Sequence, residues 1–192
     1  MSSSTVDFTR LTALAELYAD MSRGRHIGRI HDSALWSNLE DNLDAYTTVF
    51  QGLGMELAID PRGFAWLQNP RDNQAIAPRV RQIALLLLLL YEHQAAKGHS
   101  LEAFDRWLID EPVLQEIRKG SRDLLETEGL GSLDDLSSVM KAAVRLGFAR
   151  SESDGWQLLA AVRRFTDRFE ELAQAGESPE EADIQADSRQ QA

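Results

Sequence analysis

The chain has no cysteine among its 192 residues. A disulfide framework and a thiolate metal site are therefore excluded. Positive charge is also scarce: 20 Lys and Arg face 31 Asp and Glu, for a formal net charge of -11. Affinity for nucleic acid comes mainly from neutralising phosphates. So acidic a chain is poorly suited to strong DNA binding on its own, although a local basic face can still form. Long apolar runs are missing too. The greasiest stretch, Ile83 to Tyr91, is closed off by Arg81 and Glu92. It falls far short of the roughly 20 residues a membrane span requires, so no membrane association is expected and the run is read as the buried central helix of a domain. The start, Met1-Ser2-Ser3-Ser4, has neither a basic region nor an apolar run, and no secretory signal is expected. A cytoplasmic location follows as the expectation.

The motifs of catalysis are equally sparse. No Gly-x-Ser-x-Gly occurs, and Gly52-Leu53-Gly54 is followed by Met55 rather than by the Gly-Lys-Ser/Thr of a Walker loop. His26, His31 and Asp32 share no helix-face spacing and have no evident fourth ligand, so no metal site is expected. Asp134/Asp135 and Glu170/Glu171 are sequence neighbours, which do not face each other on a helix. No catalytic residue, cofactor or metal is expected, and the chain is read as a non-enzyme.

With 43% hydrophobic and 27% charged residues, the chain can bury a core and stay in solution. Phe8, Leu11, Leu14, Leu17, Tyr18 and Met21 fall at helical spacing, and Gly24 stops that helix. A short strand is expected over 25–30, then a helix capped by Asp32 and Ser33 through Asn38. A third helix carries Leu39, Leu43, Tyr46, Phe50 and Leu53 on one face. Strands over 55–60 and 64–68 flank the turn Pro61-Arg62-Gly63. Helix, short strand, two helices and a hairpin make the order of a winged helix.

The order returns after a polar break at Asn69 to Asn73. A long helix over 80–96 ends at Gly98, Ser100 caps a helix carrying Phe104 and Trp107, and another helix spans Val113 to Leu125. Ser132 caps a helix with Asp134 and Asp135 in its first turn, where negative charge suits the dipole. Asp154-Gly155 between short apolar segments signals a second hairpin. A last helix is expected over 160–175. The predicted fold is mainly α with small β hairpins, as tandem winged-helix domains. Residues 1–7 are expected to be disordered, 8–70 to form the N-terminal winged helix, 71–79 a linker, 80–175 the C-terminal winged helix, and 176–192 a disordered acidic tail.

Lys141 and Arg145 lie four apart on one helix face, and Arg150 follows in the wing, where a winged helix meets phosphates. With Arg163 and Arg164 they form the candidate DNA-binding set. Arg23, Arg25 and Arg29 cluster in the first half.

One stretch is more specific. Leu17 to Gly28, with Gly24-Arg25-His26-Ile27 at its centre, resembles the signature near the start of the E subunits of bacterial condensins, MukE and MksE. Leu39 to Tyr46, Met55-Glu56-Leu57 and Gly63 to Leu67 are similar to that family's helix and first wing. Val144 to Phe148 resembles the segment before its second wing, and the length is closer to MksE. The resemblance covers about Leu11 to Phe169. It implies a tandem winged-helix homodimer that binds a kleisin, the F subunit, which bridges the heads of an SMC-type ATPase, the B subunit. Such complexes hold DNA, compact and segregate chromosomes and are nucleoid-associated; related systems with a nuclease subunit restrict plasmids. Trp36, Tyr46, Phe64 and Trp66 are the candidate kleisin contacts, because aromatics anchor interfaces. The alternative is a winged-helix transcription regulator, which would share the fold.

Overall fold

The computed structural model describes residues 6–69 and 77–168. The expected linker, the acidic tail and the end of the last helix fall largely outside these residues.

In the first half, α1 (Leu14–Met21), β1 (Ile27–Gly28), α2 (Ser33–Asp41) and α3 (Leu43–Gly52) precede the hairpin of β2 (Glu56–Asp60) and β3 (Phe64–Gln68). The three strands form an antiparallel sheet in the order β1-β3-β2. The second half begins with α4 (Pro78–Ala96), followed by 3-10 turns over Leu101–Arg106. Next come β4 (Leu108–Ile109), α5 (Glu111–Gly120), α6 (Arg122–Thr127) and α7 (Leu133–Arg145). A hairpin of β5 (Ala149–Glu152) and β6 (Gly155–Leu158) leads to a 3-10 turn and a helix over 163–168. Its sheet runs β4-β6-β5, again antiparallel. Both halves thus place a two-residue first strand beside the last strand of a hairpin.

Local chemistry accounts for most element ends. Ser132 accepts from the Asp135 amide while the Asp135 carboxylate takes the Ser132 amide and hydroxyl, a complete capping box on α7. Asp110 caps α5 by accepting from the Val113 amide at 3.0 Å, and Pro112 sits in the first turn, where no donor is needed. The apolar run forms the buried face of α4, with Ile83, Leu86, Leu87 and Leu90 each about 1% exposed or less. They pack with α7 and Phe104 into the second-half core.

Three expectations change. The helix expected after Ser100 is 3-10 turns followed by β4, because Trp107 is extended and Leu108–Ile109 pair with Gln157 and Trp156 of β6. Val113 to Leu125 is split at Ser121, whose backbone leaves the helical region. Asp32 does not cap α2; its carboxylate accepts the Gly28 amide at 2.8 Å and the Arg25 guanidinium at 2.6 Å.

Strand β3 belongs to both cores. Its inward Ala65 joins the first-half core with Leu17, Leu39, Tyr46 and Phe50. Its neighbours Phe64 and Trp66, on the opposite face by strand alternation, join the second-half core. The two halves are packed through one sheet face.

Replacing Ser132 with Ala removes one side of the capping box and is expected to lower stability by about 1 kcal/mol. Urea denaturation of the variant against the parent measures it.

Candidate functional site at the seam between the halves

The signature Gly24-Arg25-His26-Ile27 lies where the halves meet. Gly24 has φ +86°, a left-handed conformation suited to glycine after α1. Arg25 bridges Asp20 and Asp32 and so ties the end of α1 to the start of α2. Ile27 is fully buried in the first-half core.

His26 crosses the seam. Its backbone amide donates to the Leu146 carbonyl at 3.0 Å, and its Nδ1 lies 3.0 Å from the same oxygen. The Arg164 guanidinium stands 2.7 Å from its Nε2. A carbonyl only accepts and a guanidinium only donates. His26 is therefore neutral, with its proton on Nδ1 and its lone pair on Nε2. Burial, with the charge of Arg164 adding to it, pushes its pKa down from 6.5 to about 4. The ring packs 4.4 Å from Phe148 and 6.0 Å from Trp66, centroid to centroid.

Gly147 completes the contact. It has φ +75°, and a Cβ there would meet the His26 carbonyl oxygen at 2.2 Å. Arg164 lies over the Trp66 ring at 4.2 Å while donating to His26. On another part of the seam, Arg62 of the β2–β3 turn pairs with Asp60 at 2.7 Å and with Asp167 at 2.5 Å. These carboxylates hold the guanidinium well above its ordinary range.

Two clefts flank His26. One, of about 570 Å³, carries Arg29, His31, Arg106 and Arg150 along its lining. The other, of about 660 Å³, has a mostly apolar floor and four arginines at its edge. Among the described residues no group of three His, Cys, Asp or Glu could hold a metal ion, and no helix is long and apolar enough to cross a membrane. Both ring nitrogens of His26 are already engaged, and Asp32 is committed to Arg25.

The candidate DNA-binding residues do not share one surface role. Lys141 and Arg145 are exposed on α7. Arg150 is exposed on β5 but donates to Gln157 at 2.6 Å and pairs with Glu152 at 2.7 Å. Arg163 and Arg164 are engaged within the chain. Arg163, 17% exposed, pairs with Asp105 at 2.9 Å and holds the Glu102 carbonyl. Arg164 is spent on His26 and Trp66, and burial pulls its guanidinium below the usual range.

The aromatic partner candidates are largely covered within the chain. Tyr46 and Phe64 are buried, and so is Trp36, under the guanidinium of Arg29 at 5.1 Å. Trp66 is half-buried against the second half. What Phe64 and Trp66 meet is the other half of the same chain. The large apolar side chains left exposed on the first half include Phe8, Tyr18 and Leu53. Sequence spacing did not reveal that Arg23, Arg81, Arg145, Arg164 and Arg168 gather around two adjoining hollows. They come from four separate elements.

Two helix-and-hairpin units, joined through a buried neutral histidine, define a helical two-unit protein. The family of condensin complex protein MksE matches residues 12–170, and the chain belongs to that family. It is a condensin complex protein. No curated protein matches the chain.

Gly147→Ala forces a left-handed Ala into the His26 carbonyl and is expected to cost at least about 2 kcal/mol of stability, read by denaturation. His26→Asn keeps a donor near the Nδ1 position and removes the titrating ring. In the parent, the unfolded chain binds a proton at His26 below pH 6.5 while the folded chain binds it only near pH 4. Stability from this residue is therefore full above pH 6.5 and lost as pH falls from 6.5 towards 4. The loss is on the order of 3 kcal/mol. Unfolding free energies of parent and variant measured across that window should converge as pH falls.

Proposed function

We propose that this chain is a non-catalytic subunit of an SMC–kleisin condensin, in which two winged helices act as one rigid adaptor. It binds the kleisin F subunit and, through it, the SMC-type ATPase B subunit, works as a homodimer, and helps the assembly hold DNA on the nucleoid. The process served is chromosome organisation and segregation or plasmid defence. The observation that carries this reading is the family match, which spans both halves and the seam between them. The sheet order, with the short first strand beside the last strand in each half, supports a pair of winged helices. The net charge of -11 supports a subunit whose principal partners are proteins, and it disfavours a free-standing transcription regulator.

Exposed Lys141 and Arg145 are the DNA-facing residues of this proposal, and Arg150 stands behind them on the hairpin. Arg163 and Arg164 are left to the fold.

Co-expression with its cognate kleisin, followed by purification and light scattering, is expected to yield a stable complex with two copies of this chain per kleisin. No complex, together with a specific DNA fragment shifted by the lone protein, would replace the proposal with the regulator. In the assembled complex, Lys141→Glu with Arg145→Glu is expected to weaken DNA binding across sequences and leave kleisin binding intact. Each lost phosphate contact lowers the slope of log affinity against log salt by about 1. Titrations at several salt concentrations measure this, and equal losses of DNA and kleisin binding would mark the pair as structural.

A further inference from the structure

The arginines around the second cleft are concentrated on a protein that is acidic overall. Arg23, Arg81, Arg164 and Arg168 edge the cleft, and Arg23 also lines the adjoining hollow with Arg145, Arg25 and Asp20, whose carboxylate is taken by Arg25. The floor is apolar, built by Val80, Ala84, Leu146, Phe148 and Phe165. Among the described residues no carboxylate lines the cleft of about 660 Å³. Arg81 is held by Glu128 at 2.9 Å, and Arg164 by His26. Arg23 and Arg145 are exposed, and neither forms an ion pair among the described residues. A basic rim around an apolar floor suits an acidic peptide with an apolar side chain better than it suits a nucleic-acid backbone, which offers no side chain for the floor.

The chain carries a segment of that kind. Residues 169–192 hold seven carboxylate side chains and one arginine, and beyond Gly176 the one large aliphatic is Ile184, between Asp183 and Asp187. The segment begins directly after Arg168, itself an edge residue of the cleft. Glu177 is nine residues further on, a reach of up to about 30 Å. A tethered segment meets its site at an effective concentration of order millimolar, so weak contacts suffice to hold it.

We propose that the acidic segment 177–187 docks in cis on this arginine-edged cleft, with its carboxylates on Arg23 and Arg145 and Ile184 over the apolar floor. The docked segment covers Arg145, one of the two exposed cations offered above as DNA contacts, and so sets how freely that face meets phosphates. The docking itself stands whether or not the face binds DNA.

The absence of native cysteine makes the test clean. A nitroxide is attached to full-length Ser188→Cys, and amide signals are followed by NMR. Broadening confined to Arg23, Arg81, Leu146 and their neighbours is expected. It should vanish in about 1 M salt, where the screening length is about 3 Å, and also when Arg23→Glu and Arg145→Glu are added. Both arginines are exposed and outside the cores, so this variant keeps its fold. Neutralising the segment with Glu177→Gln, Glu180→Gln, Glu181→Gln, Asp183→Asn and Asp187→Asn should abolish the effect on an unaltered body. Uniform broadening, or none, overturns the proposal. Broadening that appears only when spin-labelled unlabelled-nitrogen protein is mixed with nitrogen-15 protein also overturns it, assigning the cleft to the segment of a second copy.

Discussion

A buried imidazole held between one acceptor and one donor fixes how the two halves of this protein sit. Leu146 presents a carbonyl to Nδ1, and Arg164 presents a guanidinium to Nε2. The Arg164 contact does not tolerate an imidazolium in its place: a proton on Nε2 would face a cation with no acceptor, in a site with little water to share the charge. The same arrangement dictates its surroundings. Gly147 must lack a side chain because the His26 carbonyl lies where a Cβ would be. Arg164 must be flat and fixed, since it serves His26 at its edge and Trp66 on its face. Strand β3 must bury both faces, one in each core. The halves therefore behave as one body whose surfaces keep a constant relation.

That rigidity bears on what a member of the MksE family can do. The seam joins the apolar Phe64 and Trp66 face of β3 to directed polar contacts at His26. A purely apolar seam would leave the rotation between units weakly defined, whereas three directed hydrogen bonds at His26 and the Arg62–Asp167 pair specify one arrangement. The basic residues follow the same division. Arg62, Arg163 and Arg164 are consumed in holding the fold, while Lys141 and Arg145 on α7 are exposed.

Much of this fold is legible in the sequence because it is locally encoded. Ser132 with Asp135, the Asp154-Gly155 turn, the leucine run and the glycines after α1 and α7 all carry their meaning within a few residues. Strand β4 does not. Two residues, Leu108 and Ile109, become a strand only by pairing with β6, nearly fifty positions later in the chain. The aromatic positions were legible as important but not as to what covers them. Alternation along β3 separates Phe64 and Trp66 from Ala65, yet it does not say whether the outer face meets solvent, a kleisin or the chain itself. The partners of the charged residues were hidden for the same reason. Adjacent Arg163 and Arg164 look alike in sequence, and their commitment to Asp105 and His26 depends on residues about 60 and 138 positions away. The Gly24-Arg25-His26-Ile27 signature was recognisable before its role was, because that role is set by Leu146 and Arg164 in the other half.

The central claim is that His26 is a neutral donor–acceptor bridge across the seam. Long-range proton–nitrogen NMR of the imidazoles at neutral pH tests it most directly. His26 is expected to show a protonated Nδ1 and a bare Nε2, and to keep this state on acidification to about pH 5. An Nε2-protonated ring, or a His26 that titrates near 6.5 like a solvated imidazole, would contradict it.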